Sequence, residues 1–354
     1  MNILGIETSC DETAAAVVAD GYAVRSSIVS SQIAQHAGFG GVVPELAARE
    51  HLKAMPVVVK QALEKAGCTL AEIDAIAVTT SPGLVPALLV GVSYAKGLAA
   101  ASGKPFAGIN HFLGHIYGTF LEHPGRLENV ATYPLLALVV SGGHTALVLV
   151  RQEGTAEIVG TTIDDAAGEA FDKAAKILGL GYPGGPVIDR IAKTGNPAAY
   201  DFPRPLTGAT GKAVKADQRF NFSFSGVKTA LLYAARNRTF DDKELADLIA
   251  SYQAAIVDVL VKKTLDAARH HQAKTVIACG GVACNSGLRV SLQSGCDQKQ
   301  LTLLIAPPKF CTDNAAMIAG LAWHTLRLGG SGDLGQSVNA RLGADLGIVP
   351  WKIG

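Results

Sequence analysis

Two histidines stand four residues apart in the segment "GINHFLGHIYGTF", at positions 111 and 115. On a helix this spacing places both imidazole rings on one face, so that a single metal ion could reach both. The alternative is a pair of partly buried, hydrogen-bonded histidines. A zinc protease of the His-Glu-x-x-His type needs a glutamate after the first histidine to act as its base. Phe112 occupies that position, which weakens the protease interpretation.

Two glycine turns follow apolar stretches that read as strands, and each could hold a phosphate group through exposed backbone N–H groups. They are "VVSGGHT" (139–145) and "ACGGVACN" (278–285). An ordinary tight turn is the alternative for each of them. Ser141 is a poor hydrolase nucleophile, because Val139 stands where a nucleophile elbow has its first glycine. A third segment, 179–184, matches the dinucleotide pattern formally but follows a predicted helix rather than a strand.

Several acidic residues could be either functional or structural. Glu169 and Asp172 lie on a predicted helix, each with a lysine four residues later, at Lys173 and Lys176. Such pairs usually form a solvated, salt-bridged face, and the residues alone favour that interpretation. Asp313 could likewise be the N-cap of the helix that follows it, a position that aspartate fills well.

One span of the chain departs from the overall charge balance of +1. Its cations are Arg204, Lys212, Lys215, Arg219, Lys228, Arg236 and Arg238. The only acid between them is Asp217, and Phe220, Phe222, Phe224 and Tyr233 are interleaved with them. This composition is typical of surfaces that contact phosphates and stack on bases. A half-buried strand beside a solvated loop is an equally good interpretation of this span.

The elements that must position these residues form two similar sets. An apolar strand (2–6), the polar turn "ETSCDET" and the returning strand "AAAVVA" predict a β-hairpin. The segment "LLALVVSGGHTALVLV" (135–150) repeats this plan. Because one chain carries two such hairpins, and because strands and helices alternate through the remainder, we expect an α/β protein with two similar lobes.

Local signals also predict where individual helices begin and end. One helix should stop at Gly67 and be kinked by Pro56, and a capping box at Thr69 and Glu72 precedes a short helix. Further helices are predicted at about 165–178, 225–236 and 242–270, at about Asn285, and at "TDNAAMIAGLAW".

Size and composition limit the class of protein. A chain of 354 residues that is 49% hydrophobic is too long for one ordinary core. Its six cysteines form no Cys-x-x-Cys pair, which favours reduced thiols in a cytosol. The start of the chain has no pattern of a secretion signal, and no run of about 18 uninterrupted apolar residues occurs. We therefore expect a soluble, cytoplasmic protein without a membrane partner.

Taken together, eight segments resemble the TsaD family, the bacterial form of tRNA N6-adenosine threonylcarbamoyltransferase. The resemblance runs from about residue 3 to about residue 345. The segments, in the order of the family's motifs, are "GIETSCDET", "GGVVPELAAREH", "HFLGH", "VVSGGHT", "DDAAGEAFDKAAKILGLGYPGGP", "FSFSGVKTA", "ACGGVACN" and "CTDNAAMIAG". Cys279 and Cys284 stand where relatives more often have small residues, and the segment 204–220 is longer than usual.

The resemblance implies a two-lobed α/β fold of the actin, Hsp70 and sugar-kinase (ASKHA) type, with duplicated lobes and a central nucleotide cleft. The expected N-terminal lobe is 1–130 with the C-terminal segment from about 325 to 354. The expected C-terminal lobe is 131–324.

The family moves a threonylcarbamoyl group from threonylcarbamoyl-AMP to N6 of adenosine 37, in the anticodon loop of tRNAs that read codons beginning with A. By resemblance, the metal ligands are His111, His115 and Asp313, joining the two lobes across the cleft, and the ion is iron or zinc, with iron (Fe²⁺) preferred. The residues that match the family's phosphate, acyl and adenylate contacts are Val139, Val140, Ser141, Gly142, Gly143, Asp172, Gly185, Asp189 and Asn285. For Asp172 the resemblance thus replaces the interpretation as part of a solvated, salt-bridged face with a role in binding the adenylate. It identifies no general base, for which His144 is one candidate.

The expected partners are the tRNA, a degenerate TsaB-like paralogue and a small TsaE-like ATPase. Two rival functions are a metalloprotease, which Phe112 weakens, and a kinase-like nucleotide-sensing module of the same fold. Kinases of this fold have no use for a His-x-x-x-His pair with a distant aspartate.

Overall fold

The computed structural model describes residues 1–208, 214–329, 332, 334–341 and 343–352. Their contacts divide the chain into two compact units. The first unit comprises Met1–Val130, Glu153–Ala156 and Lys309–Gly354, and the second comprises Ala131–Gln152 and Glu157–Pro308. The segment 309–324, expected in the C-terminal lobe, therefore belongs with the first unit.

Strands and helices alternate along the chain, as the sequence predicts. The strands are β1 (Asn2–Glu7), β2 (Glu12–Ala19), β3 (Ala23–Ser31), β4 (Ala75–Ser81), β5 (Phe106–Asn110), β6 (Leu135–Val140), β7 (Thr145–Val150), β8 (Thr155–Thr161), β9 (Thr275–Cys279), β10 (Thr302–Ile305) and β11 (Asp345–Ile348). The helices are α1 (Ile33–Ala37), α2 (Pro44–Ala66), α3 (Val85–Ser102), α4 (His111–Gly118), α5 (Pro124–Leu127), α6 (Ala167–Ile177), α7 (Gly184–Ala192), α8 (Ser225–Ala235), α9 (Asp242–His270), α10 (Ser286–Gln298), α11 (Pro308–Cys311) and α12 (Ala315–Arg327).

The two units contain the same strand order. The first sheet has the order β3-β2-β1-β4-β5, and five strands of the second sheet have the corresponding order β8-β7-β6-β9-β10, with β11 as a sixth strand next to β8. Each order has an antiparallel hairpin in the same place, β1 with β2 and β6 with β7. Each hairpin is extended by parallel strands, β4 and β5 in one unit and β9 and β10 in the other. The two predicted hairpins are confirmed, and the matching orders extend the predicted duplication to five strands of each sheet.

Alternation along β1 separates the two sides of the first sheet, because successive side chains of a strand point to opposite faces. Leu4 and Ile6 belong to the apolar core that includes residues of α2 and α3. Gly5 points the other way, towards α12. A Cβ atom on Gly5 would lie 2.4 Å from the carbonyl oxygen of Ala315. The close approach of α12 to β1 therefore needs glycine at this position, and it explains why α12 packs with the first unit.

The predicted helix ends are largely confirmed. Helix α2 ends at Gly67, which adopts φ +66° and donates its N–H to the last turn. Thr69 and Glu72 form the predicted capping box. Pro56 lies inside α2, and the helix continues through it to Ala66. The predicted start at Asn285 is also confirmed, because its side chain caps α10.

Helix α3 is long and apolar enough to cross a membrane, by length and composition alone. In the first unit it packs against α2 and β4, and one side of it is buried, including Leu88, Val92 and Ala95. A core helix of a globular domain has the same length and composition. Among the described residues, α3 is the only helix with these properties.

Candidate functional site

Helix α4 presents the two predicted histidines side by side. Asn110 begins this helix by accepting a hydrogen bond from the Leu113 N–H, at 3.1 Å. The spacing of four residues then places His111 and His115 on one face, with ring centroids 4.5 Å apart and ring planes at 82°. Both side chains are almost completely buried, at 3% and 1% exposure. The imidazoles are therefore held in place by the surrounding core.

Asp313 reaches these rings from the turn before α12. Asn314, rather than Asp313, is the N-cap of that helix, because the Asn314 side chain accepts the Met317 N–H at 3.1 Å. The side-chain amide of Asn314 also donates to the Thr312 carbonyl, at 2.8 Å. Both bonds fix the turn around Asp313. The alternative role of Asp313 as a helix cap is thus wrong, and its carboxylate is free to serve the histidines.

The three side chains converge on one point within the first unit. The Oδ1 atom of Asp313 lies 3.1 Å from Nε2 of His115 and 3.5 Å from Nε2 of His111. One ligand atom from each residue lies within 4.8 Å of the other two. The expectation that these ligands join two lobes is not met, because α4 and Asp313 belong to the same unit.

Glu7, which the sequence analysis did not identify, contacts the cluster at Nδ1 of His111, whereas Asp313 lies nearest the Nε2 atom of that ring. Its carboxylate is fully buried and accepts hydrogen bonds from the Ser9 N–H and from the Thr79 hydroxyl, both at 2.5 Å. It also lies 3.0 Å from Nδ1 of His111. In the sequence Glu7 only ends a short apolar strand, so nothing local marks it as part of a site. The alternation of β1 places it on the same face as Gly5, towards α12.

The electrostatics of the cluster favour a positive charge. Burial alone would lower the pKa of His111, but the carboxylates of Asp313 and Glu7 outweigh it and raise this pKa to about 10. Burial acts in the opposite direction on Asp313, yet the two imidazoles hold the pKa of this carboxyl well below its usual range. Burial and the neighbouring His111 lower the pKa of His115. The carboxylates of Asp313 and Glu7 therefore favour a cation at this point, either a proton on His111 or a metal ion.

The donor set fits a single metal ion. Two imidazole nitrogens and one carboxylate oxygen are ligands that iron and zinc accept, and they leave coordination positions open. The Nδ1 atom of His115 is buried and has no hydrogen-bond partner among the described residues. Asp313 is the most exposed of the three, with 15% of its side chain accessible. The open side of such a site lies at this carboxylate.

The predicted phosphate turn of the second unit joins β6 to β7. The Ser141 N–H donates to the His144 carbonyl at 2.8 Å, and the Ser141 hydroxyl accepts the His144 N–H at 3.2 Å. Ser141 therefore closes the turn. Gly142 and Gly143 are exposed, and a Cβ atom on either would meet open space. The side chains of Val139 and Val140 are completely buried in the sheet, so that only their backbone could contact a ligand.

Asp172 and Gly185 lie where α6 packs against α7. The Asp172 carboxylate accepts the N–H of Gly184, the first residue of α7, at 2.7 Å. A Cβ atom on Gly184 would lie 2.5 Å from the Phe171 carbonyl oxygen. Gly185, by contrast, has open space where its Cβ atom would be. The Glu169 carboxylate pairs with Lys173 at 2.7 Å, which confirms the structural reading for that acid.

Asp189 and Asn285 are linked through the start of α10. The Asp189 carboxylate accepts from both the N–H and the hydroxyl of Ser286, at 3.1 and 2.8 Å. Asn285 accepts the Leu288 N–H at 2.9 Å and donates its side-chain amide to Gln253 at 2.8 Å. Gln253 was not identified from the sequence. Contacts of α7 with α6 and α9, and of α10 with α9, connect these residues to Asp172 within the second unit.

The basic span is less available for a ligand than its composition predicts. Arg204 pairs with Asp258 and Lys228 with Asp165, at 2.9 and 2.7 Å. Arg238 lies 3.9 Å from Glu244. The cations of the span with no acid within ion-pair distance among the described residues are Lys215, Arg219 and Arg236. Lys212 lies outside the described residues.

The aromatic residues of this span also differ from the prediction. Phe222 and Phe224 are completely buried and stack on each other, with centroids 6.2 Å apart. They therefore cannot stack on bases. Phe220 is partly exposed, and Tyr233 is exposed.

Solved structures with the same fold define the class of protein. One is component A of the (R)-2-hydroxyglutaryl-CoA dehydratase of Acidaminococcus fermentans, with a TM-score of 0.52 and 15% identity over 92% of this chain and 99% of that one. Another is full-length HypF in its phosphate- and nucleotide-bound form, with a TM-score of 0.56 and 12% identity over 93% of this chain and 47% of that one. At such identity the likeness shows the fold alone. The predicted ASKHA-type α/β fold is confirmed.

The sequence comparisons define the family within this class. The family model for TsaD, tRNA N6-adenosine threonylcarbamoyltransferase, matches residues 23–320. A protein with that name from Trichlorobacter lovleyi is 52% identical over 354 residues, which cover 99% of each chain. Another from Geotalea uraniireducens is 50% identical over 356 residues, covering 100% of this chain and 97% of that one. The chain belongs to the tRNA N6-adenosine threonylcarbamoyltransferase family.

Proposed function

We propose that this protein transfers the threonylcarbamoyl group of threonylcarbamoyl-AMP to N6 of adenosine 37 in tRNAs that read codons beginning with A. The observation that carries this proposal is the convergence of His111, His115 and Asp313 on one point. Phe112 stands where a His-Glu-x-x-His protease has its catalytic glutamate, and phenylalanine has no carboxylate. This residue therefore argues against peptide hydrolysis.

The proposed cofactor is one divalent ion, Fe²⁺ in preference to Zn²⁺, held by His111, His115 and Asp313. When bound, such an ion supplies Lewis acidity towards the carbamoyl oxygen. The protein contributes the rigid placement of the ligands. Helix α4 is buried along its whole length, and Asn314 fixes the turn of Asp313 through its side chain. Little reorganisation is then needed when the substrate arrives.

The adenylate is proposed to bind the second unit. The exposed turn at Gly142 and Gly143 offers backbone N–H groups to the phosphate, with Val139, Val140 and Ser141 shaping the turn. Asp172, Gly185, Asp189 and Asn285 are the proposed nucleoside contacts. Carboxylates suit ribose hydroxyls, because they accept their hydrogen bonds. The Gly184 N–H donates to Asp172 and the Ser286 hydroxyl donates to Asp189, and these hydrogen bonds hold the two acids in place.

The reaction is an acyl transfer with AMP as leaving group. Since AMP departs readily, the main tasks are to orient the adenine amine against the carbamoyl carbon and to stabilise the developing oxyanion. Adenosine 37 lies in a single-stranded loop, where a base is presented at lower cost than in a duplex. We further propose a cytoplasmic location, and that a TsaB-like paralogue and a TsaE-like ATPase assist the reaction.

A transfer assay combined with metal analysis tests this function. The purified chain, loaded with Fe²⁺ or Zn²⁺, is given threonylcarbamoyl-AMP and unmodified tRNA, with and without the two proposed partner proteins. We expect modified adenosine in the tRNA and release of AMP, and no cleavage of a peptide library by the same sample. Metal-dependent peptide cleavage without tRNA modification would instead support the protease alternative.

A further inference from the structure

A compact cationic and aromatic cluster lies on the second unit, only partly inside the predicted basic span. It consists of Arg219, Phe220, His270 and His271, called here the Arg219 cluster. The guanidinium carbon of Arg219 lies 5.2 Å from the Phe220 ring centroid, and its Nη1 atom is 3.4 Å from Nδ1 of His270. The Phe220 ring is 5.2 Å from His270 and 5.5 Å from His271. Arg219 and His270 are exposed.

The backbone below the Arg219 cluster is fixed before any ligand binds. The Phe220 carbonyl packs against β8 so closely that a Cβ atom on Gly160 would lie 2.3 Å from its oxygen. The next residues pair with the end of β8, where the Phe222 N–H donates to the Thr161 carbonyl at 3.0 Å. From the other side, the Lys263 ammonium donates to the Arg219 carbonyl at 2.7 Å. Such a surface loses little conformational entropy on binding.

Arg219 and Lys263 have no acid within ion-pair distance among the described residues. Lys263 is only 2% exposed, and no acid of the described chain lies within ion-pair distance of it. The neighbouring Asp266 is instead paired with Lys262, at 2.9 Å. A buried ammonium without an acid is costly. An anion bound at the surface above it would offset part of that cost.

We propose that the Arg219 cluster binds the phosphodiester backbone of RNA. This inference rests on the proposed function, which makes tRNA the substrate. If Nδ1 of His270 accepts from Arg219, the ring of a neutral His270 carries its proton on Nε2, so that guanidinium and imidazole N–H groups form one donor array. Arginine binds phosphate in this way.

Binding of unmodified tRNA to the full-length chain tests the proposal, measured by fluorescence anisotropy at several salt concentrations. Arg219→Gln should weaken binding about tenfold and reduce the slope of log Kd against log salt by about one, because one phosphate contact is lost. The double variant Arg219→Gln, His270→Gln should weaken it further. Lys299→Gln removes another exposed cation elsewhere in the second unit and should change neither quantity.

The outcomes separate this proposal from the proposed function. Equal tRNA affinity and equal salt slope for Arg219→Gln and Lys299→Gln would overturn the proposal that the Arg219 cluster binds RNA. The cluster would then bind an acidic protein or no partner. Transfer activity of the unaltered chain tests the function independently. If that chain transfers normally while Arg219→Gln binds tRNA unchanged, only the surface proposal fails.

Independently, the contacts of Glu7 carry a second inference. Its Oε2 atom lies 3.0 Å from Nδ1 of His111, whose other nitrogen faces Asp313. The Thr79 hydroxyl and the Ser9 N–H hold the carboxylate in position. We infer that Glu7 is a positioning residue that keeps the His111 proton on Nδ1, so that the Nε2 lone pair is directed at the metal. Carboxylates behind ligating histidines commonly have this role.

Glu7→Gln tests this role, because the amide has the same shape but can present either an oxygen or an NH₂ group to Nδ1. We expect the Kd for Zn²⁺, measured by calorimetry on the metal-free chain, to rise about 10- to 100-fold. The matched control is Ser9→Ala, which removes the other group near Nδ1, a hydroxyl at 3.3 Å, and should change Kd by less than about threefold. Thr79→Val, which frees the carboxylate without removing it, should give an intermediate loss.

A purely structural role for Glu7 makes a different prediction. It would lower the melting temperature of the metal-free Glu7→Gln chain while leaving the Zn²⁺ affinity of the folded fraction unchanged. That result would overturn the inference. If Glu7→Gln does not fold, an unchanged Kd for Thr79→Val overturns it equally.

Discussion

At the residue scale, a single carboxylate oxygen serves two histidines. Oδ1 of Asp313 lies within 3.5 Å of the Nε2 atoms of both histidines. A proton on His111 can stabilise this arrangement, and so can one metal ion that binds all three side chains. The pairing of His111 and His115 can be predicted from the sequence, because residues four apart on a helix lie on the same face. Asp313 follows only from resemblance to a family, because nothing local relates positions so far apart. Glu7 was missed because a buried acid at a strand end carries no local pattern.

Loss of one ligand should reduce metal content and transfer together. We expect His115→Ala and Asp313→Ala to lose most of their bound metal and to lower the transfer rate by at least about 100-fold, because two remaining ligands bind weakly. Metal content by mass spectrometry and single-turnover transfer are measured on the same samples. His324→Gln is the control, since this buried histidine lies at 3.3 and 3.2 Å from the Tyr22 and Tyr117 hydroxyls instead. Full metal content and normal transfer in either alanine variant would remove that residue from the site.

At the element scale, the proposed adenylate contacts depend on how closely helices approach. Helix starts and ends were predictable, since caps such as Asn285 and terminators such as Gly67 act on their own neighbours. The approach of α6 to α7 was not, because it depends on Gly184 lacking a side chain against Phe171, which is far from it along the chain. The same limitation explains Phe222 and Phe224, which look like exposed aromatics in a basic span but are buried.

Substitutions at the adjacent residues Gly184 and Gly185 can distinguish a packing role from contact with a ligand. Gly184→Ala should lower the free energy of unfolding by about 1–3 kcal/mol, because its Cβ atom would overlap the Phe171 carbonyl and the Ala175 side chain. Gly185→Ala meets open space and should leave that free energy within about 0.5 kcal/mol. If Gly185 contacts the adenylate, however, the same change should weaken AMP binding. Urea unfolding and AMP calorimetry on both variants make the comparison, and equal stability of the two would contradict the packing argument.

At the scale of the whole molecule, one strand order occurs twice but the two copies carry different chemistry. Glu7 at the end of β1 contacts His111, whereas β6 is followed by the exposed glycine turn. The repeated hairpins were predictable because each is local. The membership of 309–324 was not, because α12 joins the first sheet from the far end of the chain. All three proposed metal ligands consequently fall in one unit and all proposed adenylate contacts in the other.

This division predicts that metal and nucleotide bind independently while transfer needs both. His115→Ala should lose metal but keep its AMP affinity within about twofold, since the proposed metal ligands and the proposed adenylate contacts are different residues of different units. Asp172→Ala should weaken AMP binding about tenfold or more but keep its metal content. Asp172→Asn is the matched control, because its amide oxygen can still accept the Gly184 N–H seen at 2.7 Å while the negative charge is lost. It should therefore retain the stability of the parent chain and lose only the part of the AMP affinity that depends on charge. Calorimetry with AMP and metal analysis on all three variants, with transfer assayed alongside, completes the test. A loss of AMP binding in His115→Ala, with the chain still folded, would show that the ion contributes to the nucleotide site and would contradict the separation of the two.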